Sequence, residues 1–331
     1  MAEQHDMRAL IEGLGAQMIQ ALEAPVEQAP TSVVPFRGVA ILGMGGSGIG
    51  GAIMADALRA EAEMPVVAVS DQTLPGWVAK GCLVVASSYS GNTEETLACA
   101  EEAVRRGCTM AVVTSGGQLL ERAVAQSWPV VRMPGGHPPR SQFGRSFLGL
   151  AKVLHAHGVL GDKAWTQIQA AANQLDGESA RERGEQLALA VESRHVCLYA
   201  DTPLRGLVTR WRQQLNENSK LLANVEVFPE MNHNELVGWE SGNETWVAVL
   251  IRTQWDHPRT QLRMDITTEV FQDQGADVVV VEPDGETTWA CLLDAVWVGD
   301  WMSLVLAERA EVDPVDIRFI DHLKQTLSDK A

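Results

Sequence analysis

Two short stretches of glycine and hydroxyl residues carry the clearest chemical signal in this sequence. The first, Ile41 to Gly51, reads ILGMGGSGIGG and continues an apolar run that starts at Val39. A glycine-rich turn between a strand and a helix lets the backbone approach a ligand, and free N–H groups at the helix start point towards an anion. Ser47 adds a hydroxyl within this turn. We therefore expect Gly46 and Ser47 to help bind a phosphate group.

The second stretch reads SSYSGNTEET over residues 87–96 and follows a predicted buried strand. It places three hydroxyls, those of Ser88, Ser90 and Thr93, around a glycine just before a predicted helix. Either Asn92 or Thr93 can cap that helix. Because the carboxyl ends of parallel strands meet at one edge of a sheet, we expect both stretches to lie together there. The sequence thus predicts a second phosphate-binding loop.

Other interpretations of these stretches stay open at this point. The spacing of Gly43, Gly45 and Gly48 also fits the dinucleotide-binding fingerprint, and Asp71 lies where a ribose-binding acid is expected. The first stretch can also be a tight strand-to-helix turn without a ligand. The second can be a well-capped helix after a polar turn.

The elements that must position these loops alternate between strands and helices, which predicts parallel sheets covered on both faces. We expect an α/β fold of two three-layer αβα sandwiches, flavodoxin-like and doubly wound. Apolar runs predict strands at 39–42, 66–69, 83–87, 110–113, 129–132, 196–200, 225–228, 246–251 and 277–282. Helical periodicity predicts helices at 6–24, 47–60, 93–107, 117–126, 143–157, 163–175, 178–192, 204–224, 259–274, 289–310 and 316–328.

This order predicts two similar units with a helical connection. We expect an N-terminal unit with a leading helix at 1–150, a helical linker at 151–192, and a C-terminal unit with a closing helix at 193–331. The longest apolar stretch, Cys291 to Ala307, contains Asp294 and Asp300. We therefore interpret it as a buried helix rather than a membrane span.

Charge and cysteine content narrow the class of protein. The 331 residues carry a net charge of −17, which argues against a nucleic-acid partner because phosphate backbones require clustered Lys and Arg. The five cysteines are scattered and show no CxxC spacing, so neither a disulfide framework nor a zinc site is expected. Together with the lack of a signal-peptide pattern over residues 1–25, this predicts a cytoplasmic protein.

Three motifs resemble one enzyme family. The SxSGxT run that begins at Ser88 is similar to the signature of the sugar isomerase (SIS) domain. The turn GMGGSGIGG at Gly43–Gly51 and the segment EMNHNELVGW at Glu230–Trp239 resemble motifs of the bifunctional phosphoglucose/phosphomannose isomerase family. Matching features run from about residue 38 to residue 326. Both halves of the chain thus share the resemblance.

The resemblance implies an enzyme of carbohydrate metabolism, in glycolysis or gluconeogenesis. It would interconvert glucose 6-phosphate, and also mannose 6-phosphate, with fructose 6-phosphate. Such an isomerisation needs ring opening, a base that moves a proton between C2 and C1, a cation near the enediol oxygens, and an anchored phosphate. It requires no metal or other cofactor. The resemblance further implies a homodimer. The net charge and the lack of a predicted membrane span lead us to expect no nucleic-acid or membrane partner.

The resemblance assigns the base to Glu217 and ring opening to His233, which would reach the site from the partner subunit. Without it, Glu217 reads as a solvated helix residue paired with Lys220, and His233 as a structural or idle loop histidine. Lys324, in a segment similar to the closing DP…I-D-x-L-K pattern of the family, is implied to assist ring opening. A lysine on a terminal helix is otherwise usually solvated.

The resemblance places Arg140, which follows two prolines, beside the enediol oxygens. The alternative is a surface ion pair, and Arg145 competes for the same role. The sequence departs from the family pattern just after Arg140, where SQFG replaces the smaller, more apolar residues expected there.

Two further functions fit part of this pattern. A catalytically inactive sugar-phosphate sensor would share both loops, but such regulators usually carry a basic helix-turn-helix, which this acidic chain does not show. An aminosugar-phosphate isomerase would also share both loops, but not the MNHNE segment at 231–235.

Overall fold

The computed structural model describes residues 5–241 and 244–330, which form two parallel β-sheets with helices on both sides. The strands are β1 (Val39–Leu42), β2 (Val66–Val69), β3 (Leu83–Ser88), β4 (Thr109–Thr114), β5 (Val130–Arg132), β6 (His195–Asp201), β7 (Ala223–Phe228), β8 (Trp246–Ile251) and β9 (Asp277–Val281). The helices are α1 (Met7–Glu12), α2 (Leu14–Glu23), α3 (Gly45–Leu58), α4 (Glu94–Arg105), α5 (Gly117–Gln126), α6 (Phe143–Ala156), α7 (Asp162–Gln174), α8 (Gly177–Val191), α9 (Arg205–Glu217), α10 (Glu235–Gly238), α11 (Pro258–Asp273), α12 (Thr288–Arg309) and α13 (Arg318–Ser328).

The first sheet has the strand order β2-β1-β3-β4-β5, with all neighbours parallel. Its central strands β1 and β3 are buried along their whole length because helices cover both faces. Helices α3 and α6 pack on one face, and α4 and α5 on the other. This order is that of the flavodoxin-like doubly wound fold, as predicted.

The second sheet repeats the pattern in the order β7-β6-β8-β9. One face packs against the core that the two sheets share, and α11 covers the other. The predicted α/β class with parallel sheets is therefore confirmed.

Helix α12 lies at the centre of the shared core, where it packs on α7, α8 and α9. In the described part of the chain it is the one helix long and apolar enough to span a membrane, but 89% of its apolar window is buried inside the protein. The prediction of a buried helix is thus confirmed. The division of the chain at residues 150 and 192 stays a prediction.

Two predicted helices differ from the structure. The helix expected at 6–24 is divided at Gly13 into α1 and α2. The helix expected at 204–224 ends at Glu217, because the side chains of Asn218 and Ser219 bind to α12 and Lys220 adopts a left-handed conformation with φ +59°. Glu217 is therefore the last helical residue of α9 rather than a residue of its interior.

Candidate active site

The first glycine-rich loop leads from β1 into α3, which begins at Gly45. A Cβ atom on Gly48 would lie 2.4 Å from the carbonyl oxygen of Gly43, so this turn closes only around a glycine. A Cβ atom on Gly46 would lie 2.8 Å from the backbone nitrogen of Arg140. The glycine at position 46 therefore lets the segment that carries Arg140 contact the predicted phosphate loop.

The hydroxyls of the second loop face one another across the turn. The Oγ1 atom of Thr93 lies 2.9 Å from the Oγ atom of Ser88, which also accepts the N–H of Gly91 at 3.2 Å. Ser90 is exposed and accepts the N–H of Asn92 at 3.2 Å. Thr93 is the N-cap residue of α4 but makes no side-chain capping bond, and Asn92 accepts instead from the start of α5. The expectation of a side-chain cap on α4 is therefore wrong.

The two loops meet directly at the carboxyl edge of the first sheet. The Oγ atom of Ser47 accepts the N–H of Tyr89 at 3.0 Å, and the hydroxyl of Ser87 donates to the carbonyl of Ser47 at 3.1 Å. The hydroxyl of Tyr89 donates to the carbonyl of Pro134 at 2.9 Å, which connects the loop before Arg140 to the same surface. The structure thus brings together the two loops that carry Gly46, Ser47, Ser88, Ser90 and Thr93.

Arg140 is 3% exposed and reaches across to the end of α9. Its Nη1 atom lies 3.2 Å from Oε2 of Glu217, and its Nε–H donates to Oδ1 of Asn218 at 2.8 Å. Its Nη2–H donates to the carbonyl of Pro314 at 2.5 Å. Burial lowers the pKa of Arg140, while the carboxylate of Glu217 opposes this shift. Glu217 is thus the carboxylate that faces this buried cation.

The expected pairing of Glu217 with Lys220 takes a different form. The Nζ of Lys220 donates to the backbone carbonyl of Glu217 at 2.5 Å and to the carbonyl of Asp316 at 2.8 Å. The carboxylate of Glu217 therefore pairs with Arg140 and not with Lys220. Its side chain is 24% exposed, so it faces both the buried cation and an open space.

That space is a cavity of about 510 Å³ beside the end of α9. Glu217 and Lys220 line one side, and residues 316–320 at the start of α13 line the other. An apolar wall with a few polar groups is typical of sites that bind small molecules.

A buried polar network supports Arg140 from behind, and the sequence analysis did not find it. Arg210 is 1% exposed and binds both carboxylate oxygens of Asp300, at 2.8 and 2.6 Å. The same guanidinium donates to the carbonyl of Arg140 at 3.3 Å, and Gln214 donates to Asp300 at 2.8 Å. The feature of the sequence that could have revealed this network is the presence of aspartates within the apolar stretch that forms α12.

Two predicted site residues lie apart from this pair within the described chain. His233 is exposed, in the turn that follows β7 and a proline, and Lys324 is exposed on α13. Neither side chain has a hydrogen bond or ion pair to another described residue. The structure of the single chain therefore brings the loops with the five predicted phosphate-binding residues to the segment that carries Arg140, and pairs Arg140 with Glu217. It does not bring His233 or Lys324 to them.

The competing residues are engaged elsewhere. Arg145 binds Gln142 and donates to Oε1 of Gln20 at 2.7 Å, away from Glu217. The carboxylate of Asp71 accepts the N–H of Gln72 in its own turn at 2.6 Å. The described residues contain no cluster of three side chains suited to a metal ion. That the protein needs no cofactor stays a prediction.

The arrangement places hydroxyl and N–H donors beside a carboxylate that is paired with a buried cation. The donors suit an oxyanion such as a phosphate. The carboxylate can exchange a proton with a carbon acid, and the guanidinium can stabilise the negative charge that develops on neighbouring oxygens.

Comparison with known proteins identifies relatives in both sequence and fold. A family model described as the bacterial phospho-glucose isomerase C-terminal SIS domain matches residues 180–327. The chain is 37% identical over 270 residues to a bifunctional phosphoglucose/phosphomannose isomerase of Aquifex aeolicus, covering 81% of this chain and 82% of the relative. It is 33% identical over 282 residues to the protein of that name from Caldicellulosiruptor bescii, covering 81% and 83%.

Solved structures of low sequence identity share the fold. The C-terminal domain of glucosamine-fructose-6-phosphate aminotransferase from Francisella tularensis superposes with a TM-score of 0.75, covering 94% of this chain and 98% of that one, at 13% identity. At that identity the likeness concerns the fold alone. The sequence relatives, which extend over both sheets, show that the chain belongs to the bifunctional phosphoglucose/phosphomannose isomerase family.

Proposed function

We propose that the protein is an aldose–ketose isomerase that interconverts glucose 6-phosphate, and mannose 6-phosphate, with fructose 6-phosphate. Its family relatives carry that activity in their names. The observation that carries the proposal is the ion pair of Arg140 and Glu217. The backbone of Arg140 packs against Gly46, which is part of the first predicted phosphate loop.

The phosphate of the sugar would be held by the loops at the first sheet. The hydroxyls of Ser47, Ser88, Ser90 and Thr93 can each rotate to donate a hydrogen to a phosphate oxygen. The backbone at Gly46 approaches closely because no side chain intervenes. Such neutral donors fix the position of the phosphate, and with it the distance of C1 and C2 from Glu217.

Proton transfer would then be the task of Glu217. The ionised carboxylate removes the proton from C2 of the open aldose, which gives a cis-enediolate. The hydroxyl proton then moves from O2 to O1, and the carboxylic acid returns its proton to C1 to give the ketose. Arg140 holds the carboxylate in place and counters the charge on the enediolate oxygens. Because its other donors bind uncharged acceptors at Asn218 and Pro314, its positive charge remains available to Glu217 and the substrate.

Ring opening precedes this step and would use His233 and Lys324. We infer that His233 enters the site from the partner of a homodimer, because its side chain is exposed and makes no hydrogen bond or ion pair to the described residues of its own chain. The apolar side of α13 supports an assembly. Phe319, Leu323 and Leu327 are 83%, 58% and 55% exposed in the single chain. A cytoplasmic location stays part of this proposal.

The proposal of the base is tested with Glu217→Gln, which keeps the size of the side chain and removes its basicity. We expect turnover of glucose 6-phosphate to fall by about 1,000-fold, together with deuterium exchange at C2 in D₂O. Fructose 6-phosphate should still raise the melting temperature. The matched control is Glu121→Gln on the exposed side of α5. Near-normal exchange in Glu217→Gln would disprove the assignment, and turnover of glucosamine 6-phosphate alone would favour the aminosugar alternative.

The shared histidine is tested by mixing two inactive variants, His233→Ala and Glu217→Gln. After subunit exchange, a mixed dimer has one site with both intact residues if the histidine comes from the partner. We expect about a quarter of wild-type activity to return. If both residues act within one chain, no activity returns, and a monomeric mass in solution would equally exclude the shared site.

A further inference from the structure

Lys220 lines the cavity beside Glu217 but has no role in the proposed reaction. Its ammonium bridges two backbone carbonyls that lie far apart in sequence, those of Glu217 and Asp316. The first is a free carbonyl at the end of α9, and the second lies just before α13. A lysine near a helix end commonly binds the last carbonyls, but here it binds a second segment as well.

That second segment, residues 313–317, is named the strap because it connects α12 to α13. Two cations hold it against the site. The guanidinium of Arg140 binds the carbonyl of Pro314, and the ammonium of Lys220 binds the carbonyl of Asp316. The strap leads directly into the helix that carries Lys324 and forms one wall of the cavity beside Glu217.

The backbone at Lys220 adopts a conformation that a lysine rarely takes. Lys220 has φ +59°, a left-handed conformation that disfavours residues with a Cβ atom. Glycine or asparagine would adopt it at lower cost. Burial and the nearby charge of Arg140 lower the pKa of Lys220, as expected for an ammonium packed against the site.

We propose that Lys220 is a positioning residue, which clamps the strap to the end of α9 and thereby fixes both Glu217 and the start of α13 around the cavity. Lys220 acts through Glu217 and the strap, since both of its bonds go to backbone carbonyls rather than to a group that would take part in the reaction. The role in turnover rests on the proposed isomerase function. The clamp itself does not depend on that function.

The test variant is Lys220→Gly, which removes the ammonium and suits the left-handed backbone. Hydrogen exchange followed by mass spectrometry should show strap and α13 amides exchanging about tenfold faster, with little change in the core strands. With glucose 6-phosphate, kcat should fall about tenfold while KM stays near the wild-type value, because the phosphate loops are untouched. The melting temperature should stay the same or rise.

Two further variants complete the design. Lys220→Arg keeps a cation that can reach both carbonyls, and both exchange and kcat should return close to wild type. Gln28→Gly is the control for the backbone, because Gln28 is an exposed residue with φ +55° distant in sequence from the strap. Gln28→Gly should change neither the amide exchange of the strap and α13 nor kcat.

The outcomes are separable. Unchanged strap exchange in Lys220→Gly overturns the clamp, whatever happens to turnover. Faster exchange with wild-type kcat overturns the role in positioning the site. If the wild-type protein has no isomerase activity, the proposed function fails, while the exchange experiment still decides whether Lys220 holds the strap.

Discussion

The carboxyl edges of the two sheets have similar topology and opposite chemistry. In the first sheet, the turns after β1 and β3 contact each other and carry the hydroxyls of Ser47 and Ser88. In the second, β6 ends at Asp201, which is 6% exposed. Its carboxylate accepts the N–H groups of Thr202 at 2.8 Å and His257 at 3.0 Å. The donors of the second edge are thus satisfied by the chain itself.

The turn after β8 shows the same difference. The carboxylate of Asp256 accepts the N–H and the hydroxyl of Thr253 at 2.8 and 2.7 Å. Parallel strands deliver N–H donors to an edge in both halves of the molecule. The turns after β1 and β3 carry hydroxyls where the turns after β6 and β8 carry carboxylates, and the one carboxylate described above at the first edge, that of Asp71, lies in the turn after β2. The comparison therefore teaches that side chains, rather than topology, decide which edge is open to an external anion.

The largest effect is expected when the chemistry of the second edge is copied into the first. Ser88→Asp places a carboxylate among the predicted phosphate donors, and the like charges should lower kcat/KM for fructose 6-phosphate about 1,000-fold, or about 4 kcal/mol. Coupled kinetics measure this loss. Ser88→Asn, which is of equal size and uncharged, is the control. Equal losses in the two variants would show that charge at this edge is not the deciding factor.

The converse change tests whether Asp201 has a purely structural role. Asp201→Ala leaves the buried donors of Thr202, His257 and Thr260 without their acceptor, which should lower the free energy of unfolding by about 3 kcal/mol. Urea denaturation gives the value, with the exposed Asp273→Ala as reference. Turnover per folded molecule should be unchanged. A specific loss of substrate affinity would mean that the second edge also binds substrate.

A smaller, pH-dependent effect is expected at Asp256. Burial raises its pKa from an ordinary value of 3.8 to about 6, and nearby Asp201 adds to the shift. Because the folded state holds this proton more tightly than the unfolded state, Asp256 stabilises the fold at low pH. That contribution is lost as the pH rises from about 4 through about 6, on the order of 3 kcal/mol in total.

The measurement is urea unfolding of the wild type and Asp256→Asn between pH 4 and pH 7.5. The unfolding free energy of the wild type should decline relative to that of the variant over this range and run parallel to it above pH 7. A constant difference at all pH values would contradict the assignment.

Local patterns predicted much of this architecture. Strand β8 was expected at 246–251 and α5 at 117–126, where both are found, because an apolar run and an amphipathic period are each properties of a short segment. The glycine and hydroxyl loops were found for the same reason. The prediction that the two loops lie together followed from the parallel arrangement of the strands.

What the sequence did not reveal depends on distant partners. Arg210 and Asp300 are 90 positions apart, and no local pattern pairs them. The early end of α9 depends on Asn218, whose amide binds Ser303 on α12 and Arg140. The site that His233 and Lys324 join stays a prediction, because an exposed position in one chain does not specify which surface of another subunit packs against it.

The apolar helix α12 has a consequence for how the chain is made. A ribosome releases these 22 residues as a segment that resembles a membrane anchor in length and hydropathy. Asp294 and Asp300 each add about 3 kcal/mol to the cost of moving such a segment into lipid. The two carboxylates that later bind Arg183 and Arg210 thus also oppose capture of the nascent chain by the insertion machinery.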